Sequence, residues 1–121
     1  MIPDDFVTLF LGTFRGRPDV HAVRWVDGER SGYAPVRLPL DAEVAAKHLR
    51  GEQVVGVYPL LANNTTWFLA MDFDDENARK HAFRVWGSAN ARGIPVYVES
   101  SRSGDGIHLW IFGSSGISVG V

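Results

Sequence analysis

Trp67-Phe68-Leu69-Ala70-Met71-Asp72-Phe73-Asp74-Asp75 is the stretch that decides the fold. It reads as a buried strand over 67–73 that delivers acids at its end, followed directly by a helix. Asp74 or Asp75 is placed to cap that helix, with Ala78, Ala82, Val85, Trp86 and Ala89 inward and Arg92-Gly93 and Pro95 as its stop. Two further strands, 94–100 and 107–112, are joined by a serine- and glycine-rich loop. The second half therefore reads β-α-β-β, most of an RRM-like or ferredoxin-like unit. Such a unit closes with one more helix and strand, whereas Gly113-Ser114-Ser115-Gly116-Ile117-Ser118-Val119-Gly120-Val121 is too short and too glycine- and serine-rich for both. The expectation is an incomplete module, truncated at its C-terminus or with its tail replaced.

Upstream, Phe6, Val7, Phe10, Leu11 and Phe14 recur at helical spacing behind Asp4 and Asp5, acids that suit a helix N-terminus. Residues 20–26 alternate as a strand. Asp27-Gly28-Glu29-Arg30-Ser31-Gly32 is turn chemistry before a second extended piece at 33–36, which predicts a hairpin. Asp41 caps a helix presenting Val44, Ala45, His48 and Leu49, with Gly51 at its stop. Residues 54–60 read as a strand and 62–65 as a loop. The predicted class is α/β in the α+β sense: an N-terminal α/β module over 1–65, packed on a partial RRM-like module over 66–112, with an atypical tail over 113–121.

A chain of 121 residues suits one small domain. With 45% apolar and 21% charged residues, it has an ordinary globular composition. A net charge of −2 argues against coating nucleic acid by bulk charge. The absence of cysteine removes disulfides, thiolate nucleophiles and cysteine zinc sites, so any metal must use oxygen and imidazole ligands. No apolar run approaches the roughly 20 residues that span a bilayer, and the acidic start lacks the basic segment of a secretory signal. A cytoplasmic location with no membrane partner is the expectation.

Side chains two apart on a strand share a face, so Asp72 and Asp74 converge if extended geometry persists to the strand end. Two carboxylates so placed repel unless a cation separates them, and hard oxygen ligands suit Mg2+ or Mn2+. The alternative is that the acids simply cap the next helix. In Ser101-Arg102-Ser103-Gly104-Asp105-Gly106-Ile107-His108, glycines let backbone N–H groups approach an anion, Ser101 and Ser103 add hydroxyls, and Arg102 adds charge. His108 shares a strand face with Trp110 and Phe112 and is a candidate donor to a phosphate oxygen. An ordinary hairpin turn and a core histidine are the alternatives here. Trp25 is expected in the core more than on a stacking surface; Arg15, Arg17, Lys47 and Arg50 are expected as solvated charge, and His81 as idle.

These blocks resemble a known family, the archaeo-eukaryotic primase (AEP) superfamily, and within it the primase domains of TOTE conflict systems. The resemblance is carried by residues 19–25 and 56–61, and more specifically by 68–74 and 99–112. It implies that Asp72 and Asp74 are catalytic metal ligands for Mg2+ or Mn2+. It also implies a nucleotide-binding loop of Ser101, Arg102, Ser103, Gly104 and Gly106, with His108 both phosphate-binding and catalytic. The implied activity is nucleotidyl transfer from nucleoside triphosphates on a single-stranded DNA template or primer-template, in DNA replication, repair or conflict systems, alongside helicase or nuclease partners. The family carries a third acidic motif after the histidine strand, and this chain has no acid beyond Phe112. Two other readings stay open: a non-catalytic RRM-like nucleotide or nucleic-acid binding module, and a metal-dependent nuclease.

Overall fold

Pro3 precedes the first helix, and Asp4 and Asp5 stand in its first turn, where the helix dipole favours negative charge. The computed structural model describes Met1–Gly120. Its elements run α1 (Asp4–Thr13), β1 (His21–Asp27), β2 (Arg30–Val36), α2 (Ala42–Leu49), β3 (Val55–Gly56), β4 (Thr65–Phe73), α3 (Ala78–Ala91), β5 (Tyr97–Ser100) and β6 (Ile107–Ser118). Three helices with two three-stranded sheets, ordered β2-β1-β3 and β4-β6-β5, make this an α+β protein. No helix among the described residues is long and apolar enough to cross a membrane.

The chain divides into two compact units. Residues 1–67 together with 114–121 form the first, and residues 68–113 form the second. In the first unit, β1 and β2 pair antiparallel from His21↔Val36 to Asp27↔Arg30. Gly28 takes φ +60° at the first central position of the two-residue turn, where a type II′ hairpin requires glycine. Asp41 Oδ1 accepts the Val44 N–H at 2.9 Å, the expected cap of α2. Val7 of α1 and Ala45 of α2 are buried, and the Phe10 ring lies 5.4 Å from the His48 ring.

Several expected boundaries move. The strand expected over 54–60 shrinks to Val55–Gly56, paired with Val23 and Ala22. Beyond it the Tyr58 carbonyl accepts the Arg17 N–H at 2.8 Å, and Pro59 has no N–H to give a sheet. The strand expected to be buried over 67–73 begins at Thr65 and is half-exposed, with Thr66 and Phe68 buried but Leu69 and Asp72 open. The strand expected to stop at Phe112 continues to Ser118.

In the second unit the Asp74/Asp75 cap does not form. Asn77 is the N-cap of α3, while Asp75 Oδ1 accepts the Asn77 N–H at 2.8 Å and shapes the turn before it. The helix ends as the sequence predicts. Ile94 N–H bonds the Ala89 carbonyl and Gly93 N–H the Asn90 carbonyl, with Gly93 at φ +71°, a Schellman motif. Ala78 and Ala82 face inward and Val85 packs against the core, but Trp86 is exposed. The core of this unit is Ala82, Ile107 and Leu109, with Met71, Phe73, Val85 and Val96 against it.

Candidate functional site

Period-two alternation sorts the site residues. Ile107 and Leu109 of β6 are buried in the core, so His108 lies on the other face with Trp110 and Phe112. Met71 and Phe73 of β4 pack on that same core, which turns Asp72 to the face of His108. The β5–β6 register sets Glu99 opposite His108 and Tyr97 opposite Trp110. Three strands thus bring Asp72, Glu99 and His108 together.

The distances are specific. His108 Nδ1 lies 2.7 Å from Glu99 Oε1, and His108 Nε2 lies 3.5 Å from Asp72 Oδ1. Trp110 Nε1–H donates to the same Glu99 oxygen at 3.3 Å. The imidazole therefore has one carboxylate on each side. This arrangement strings the two acids along the ring rather than around a common point. Among the described residues no group of three or more histidine or acidic side chains is arranged to hold a metal ion.

Asp74 stands one residue past the end of β4, exposed, and makes no hydrogen bond or ion pair among the described residues. The structure thus brings Asp72 to His108 and leaves Asp74 as an open carboxylate beside the strand end. As a donor set the two are hard oxygens. Mg2+ is commonly held through one or two carboxylates together with substrate phosphates and water, so these side chains fit a cation that arrives with a nucleotide.

The loop is held by its own first serine. Ser101 N–H donates to the Gly106 carbonyl at 2.8 Å, Gly104 N–H to the Ser101 carbonyl at 2.9 Å, and Gly106 N–H to Ser101 Oγ at 2.9 Å. Ser101 Oγ and Ser103 Oγ are 3.1 Å apart, and Asp105 N–H reaches Ser103 Oγ at 3.4 Å. The Gly104 and Gly106 amides are thus spent on the shape of the loop. Those of Arg102 and Ser103, with the exposed Arg102 guanidinium, have no partner among the described residues. These are the donors left for an anion.

The remaining candidates lie in the first unit or on α3. Arg17 pairs with Asp19, Arg50 with Glu52 and Lys47 with Glu43, and the Arg15 guanidinium lies 4.0 Å over the Trp67 ring. His21 is buried with Nδ1 2.8 Å from the Leu38 carbonyl, a core histidine. Trp25, expected in the core, is 40% exposed and lies against Gly32, where an added Cβ would come within 2.9 Å of its ring. A cavity of about 450 Å³, lined mostly by apolar residues such as Leu11, Val20, Leu40 and Trp67, holds none of the expected site residues. His81 is exposed, 3.7 Å from Asp75.

The sequence reading gives Glu99 no role in the site. Counting outward from the Ser100↔Ile107 pair across the six-residue loop would have placed it opposite His108. No curated protein matches the chain. The model of a family described as "TOTE conflict system, Archaeo-Eukaryotic Primase domain" matches residues 5–120.

Proposed function

On the premise that this chain belongs to the archaeo-eukaryotic primase domain family of TOTE conflict systems, we propose that it is a nucleotidyltransferase domain of the primase-polymerase type. Its substrates would be a nucleoside triphosphate and the 3′-hydroxyl of a strand or of a second nucleotide, on a single-stranded DNA template. The observation that carries the reading is the approach of His108 Nε2 to Asp72 Oδ1, 3.5 Å, with the Ser101–Gly106 loop opening onto the same strand.

In this reading the triphosphate lies along the loop. Arg102 and the amides of Arg102 and Ser103 bind phosphate oxygens, and His108 meets one more. Asp72 and Asp74 would hold a divalent cation, Mg2+ or Mn2+, that arrives with the phosphates. When bound, that cation would supply charge neutralisation at the attacking 3′-oxygen and the departing pyrophosphate. The bond from the 3′-oxygen to the α-phosphorus forms as the α–β bridging bond breaks. Pyrophosphate leaves with that electron pair, and the hydroxyl proton passes to solvent. No covalent enzyme intermediate is needed.

The test is dinucleotide synthesis and primer extension by the 121-residue chain with Mn2+. Asp74→Ala is expected to abolish product, and His108→Ala to lower the rate about 100-fold or more. Unchanged nucleotide and Mn2+ affinity in Asp72→Ala would sink the proposal. A second reading, a nucleotide-binding module without turnover, is favoured by the way Asp72 and Glu99 flank the His108 ring instead of facing a common point. It predicts binding in the same assay with no product, and release of nucleotides from a labelled strand would point to a nuclease.

A further inference from the structure

His108 has a carboxylate at each ring nitrogen, and the two are unequal. The Glu99 contact at Nδ1, 2.7 Å, is a full hydrogen bond; the Asp72 contact at Nε2, 3.5 Å, is longer than a good one. A carboxylate can only accept, so the short contact puts the proton of a neutral ring on Nδ1. The Trp110 indole N–H, a donor only, meets the same Glu99 oxygen and fixes it from a second side. Hairpin register then holds Glu99 and His108 directly opposite one another, clear of the core.

We infer that Glu99 is a positioning residue: it locks the neutral His108 ring as the Nδ1–H tautomer and turns Nε2 toward Asp72. Nε2 is then the nitrogen that meets whatever binds beside Asp72; bare in the neutral ring, it donates to an anion only in the ring that carries both protons. That this ligand is a triphosphate rests on the primase-polymerase reading; the ring orientation rests on the hydrogen bonds alone. Glu99 touches no substrate in this scheme and acts through His108.

The experiment is a long-range 15N–1H correlation spectrum of the imidazoles of the 15N-labelled 121-residue chain, at a pH above about 8 where a typical histidine is neutral. The wild type is expected to show a protonated-type Nδ1 and a bare Nε2 for His108. Glu99→Ala loses that pattern, and Glu99→Gln, whose carbonyl oxygen still accepts, keeps it. The side chain of Glu99 is more than half exposed, so neither change disturbs the core. Triphosphate affinity with Mn2+ should fall about 10-fold in Glu99→Ala and less in Glu99→Gln, as for other outer partners of a working histidine. A wild-type ring protonated at Nε2, or ring nitrogens unmoved by Glu99→Ala, would overturn the inference. Failure of every form, wild type included, to bind triphosphate would instead remove the primase-polymerase reading, while the ring spectrum still decides the role of Glu99.

Discussion

Replacing Gly106 by alanine places a methyl group where the Ser101–Gly106 loop re-enters β6. A Cβ built there lies 3.0 Å from Ser101 Oγ, 3.1 Å from the Phe73 carbonyl oxygen and 3.2 Å from Ser101 Cβ. All three are inside the usual 3.5–4.0 Å optimum of such contacts, roughly. Ser101 cannot step aside freely, because its Oγ holds the Gly106 N–H, and the Phe73 oxygen moves only if the end of β4 moves. Overpacking of this kind costs about 1–3 kcal/mol and the weakened hydrogen bond about 1 more. The expected loss is about 2–4 kcal/mol, a fall in Tm of roughly 6–16 °C for a chain of this size. Urea unfolding followed by tryptophan fluorescence would measure it. Gly104→Ala is the companion: nothing lies within 4 Å of a Cβ there, and its cost comes from the backbone alone, φ +83°. That penalty is about 1–2 kcal/mol. Stability of Gly106→Ala within about 0.5 kcal/mol of wild type would refute the reasoning, since ordinary surface changes do no more. So would a larger loss in Gly104→Ala than in Gly106→Ala.

Two further outcomes are expected. Leu109→Ala empties a fully buried site among Ala82, Ile107 and their neighbours and should cost about 2–5 kcal/mol in the same unfolding assay; a loss under about 1 kcal/mol would mean that the core is not where the structure puts it. The hydrogen bond from Arg17 holds the Asp19 carboxyl below the ordinary aspartate range, as that from Arg50 does for Glu52. A carboxyl depressed by folding contributes stability above its unfolded pKa and loses it as pH falls through the folded one, so both pairs break only in acid. Carboxyl-carbon NMR titration should show the Asp19 midpoint rising toward the ordinary value in Arg17→Ala, and an identical midpoint in both proteins would contradict the pairing.

Local signals were legible wherever the residues that make a feature are neighbours in sequence. Asp41 and Val44 form their cap within one turn, and Arg92-Gly93-Ile94 closes α3 by bonds to residues three and five back. What depends on distant pairing was not legible. Strand β3 is cut short by a hydrogen bond to Arg17, some 40 residues away, and β6 runs through Gly113-Ser114-Ser115-Gly116 against local propensity. Gly116 lies where a Cβ would touch Thr65 Oγ1 at 3.2 Å, so a partner strand rather than side-chain preference keeps that segment extended. Of the site, the alternation that turns His108 and Asp72 off the core was readable, whereas the partner of the imidazole was not. It takes the register of a hairpin, and hence the closed length of its loop, to put Glu99 across from His108.

The first unit is built from two stretches of chain, 1–67 and 114–121, with the whole of the second unit between them. During synthesis its last segment, which places Gly116 on Thr65 and the Val119 N–H on the Asn64 carbonyl at 2.9 Å, arrives only after residues 68–113 have been made. At about 5–20 residues per second that interval is roughly 2–9 s. The earlier part of the unit waits on the ribosome with an unfilled place for its closing strand, so the half that begins first is the half that finishes last.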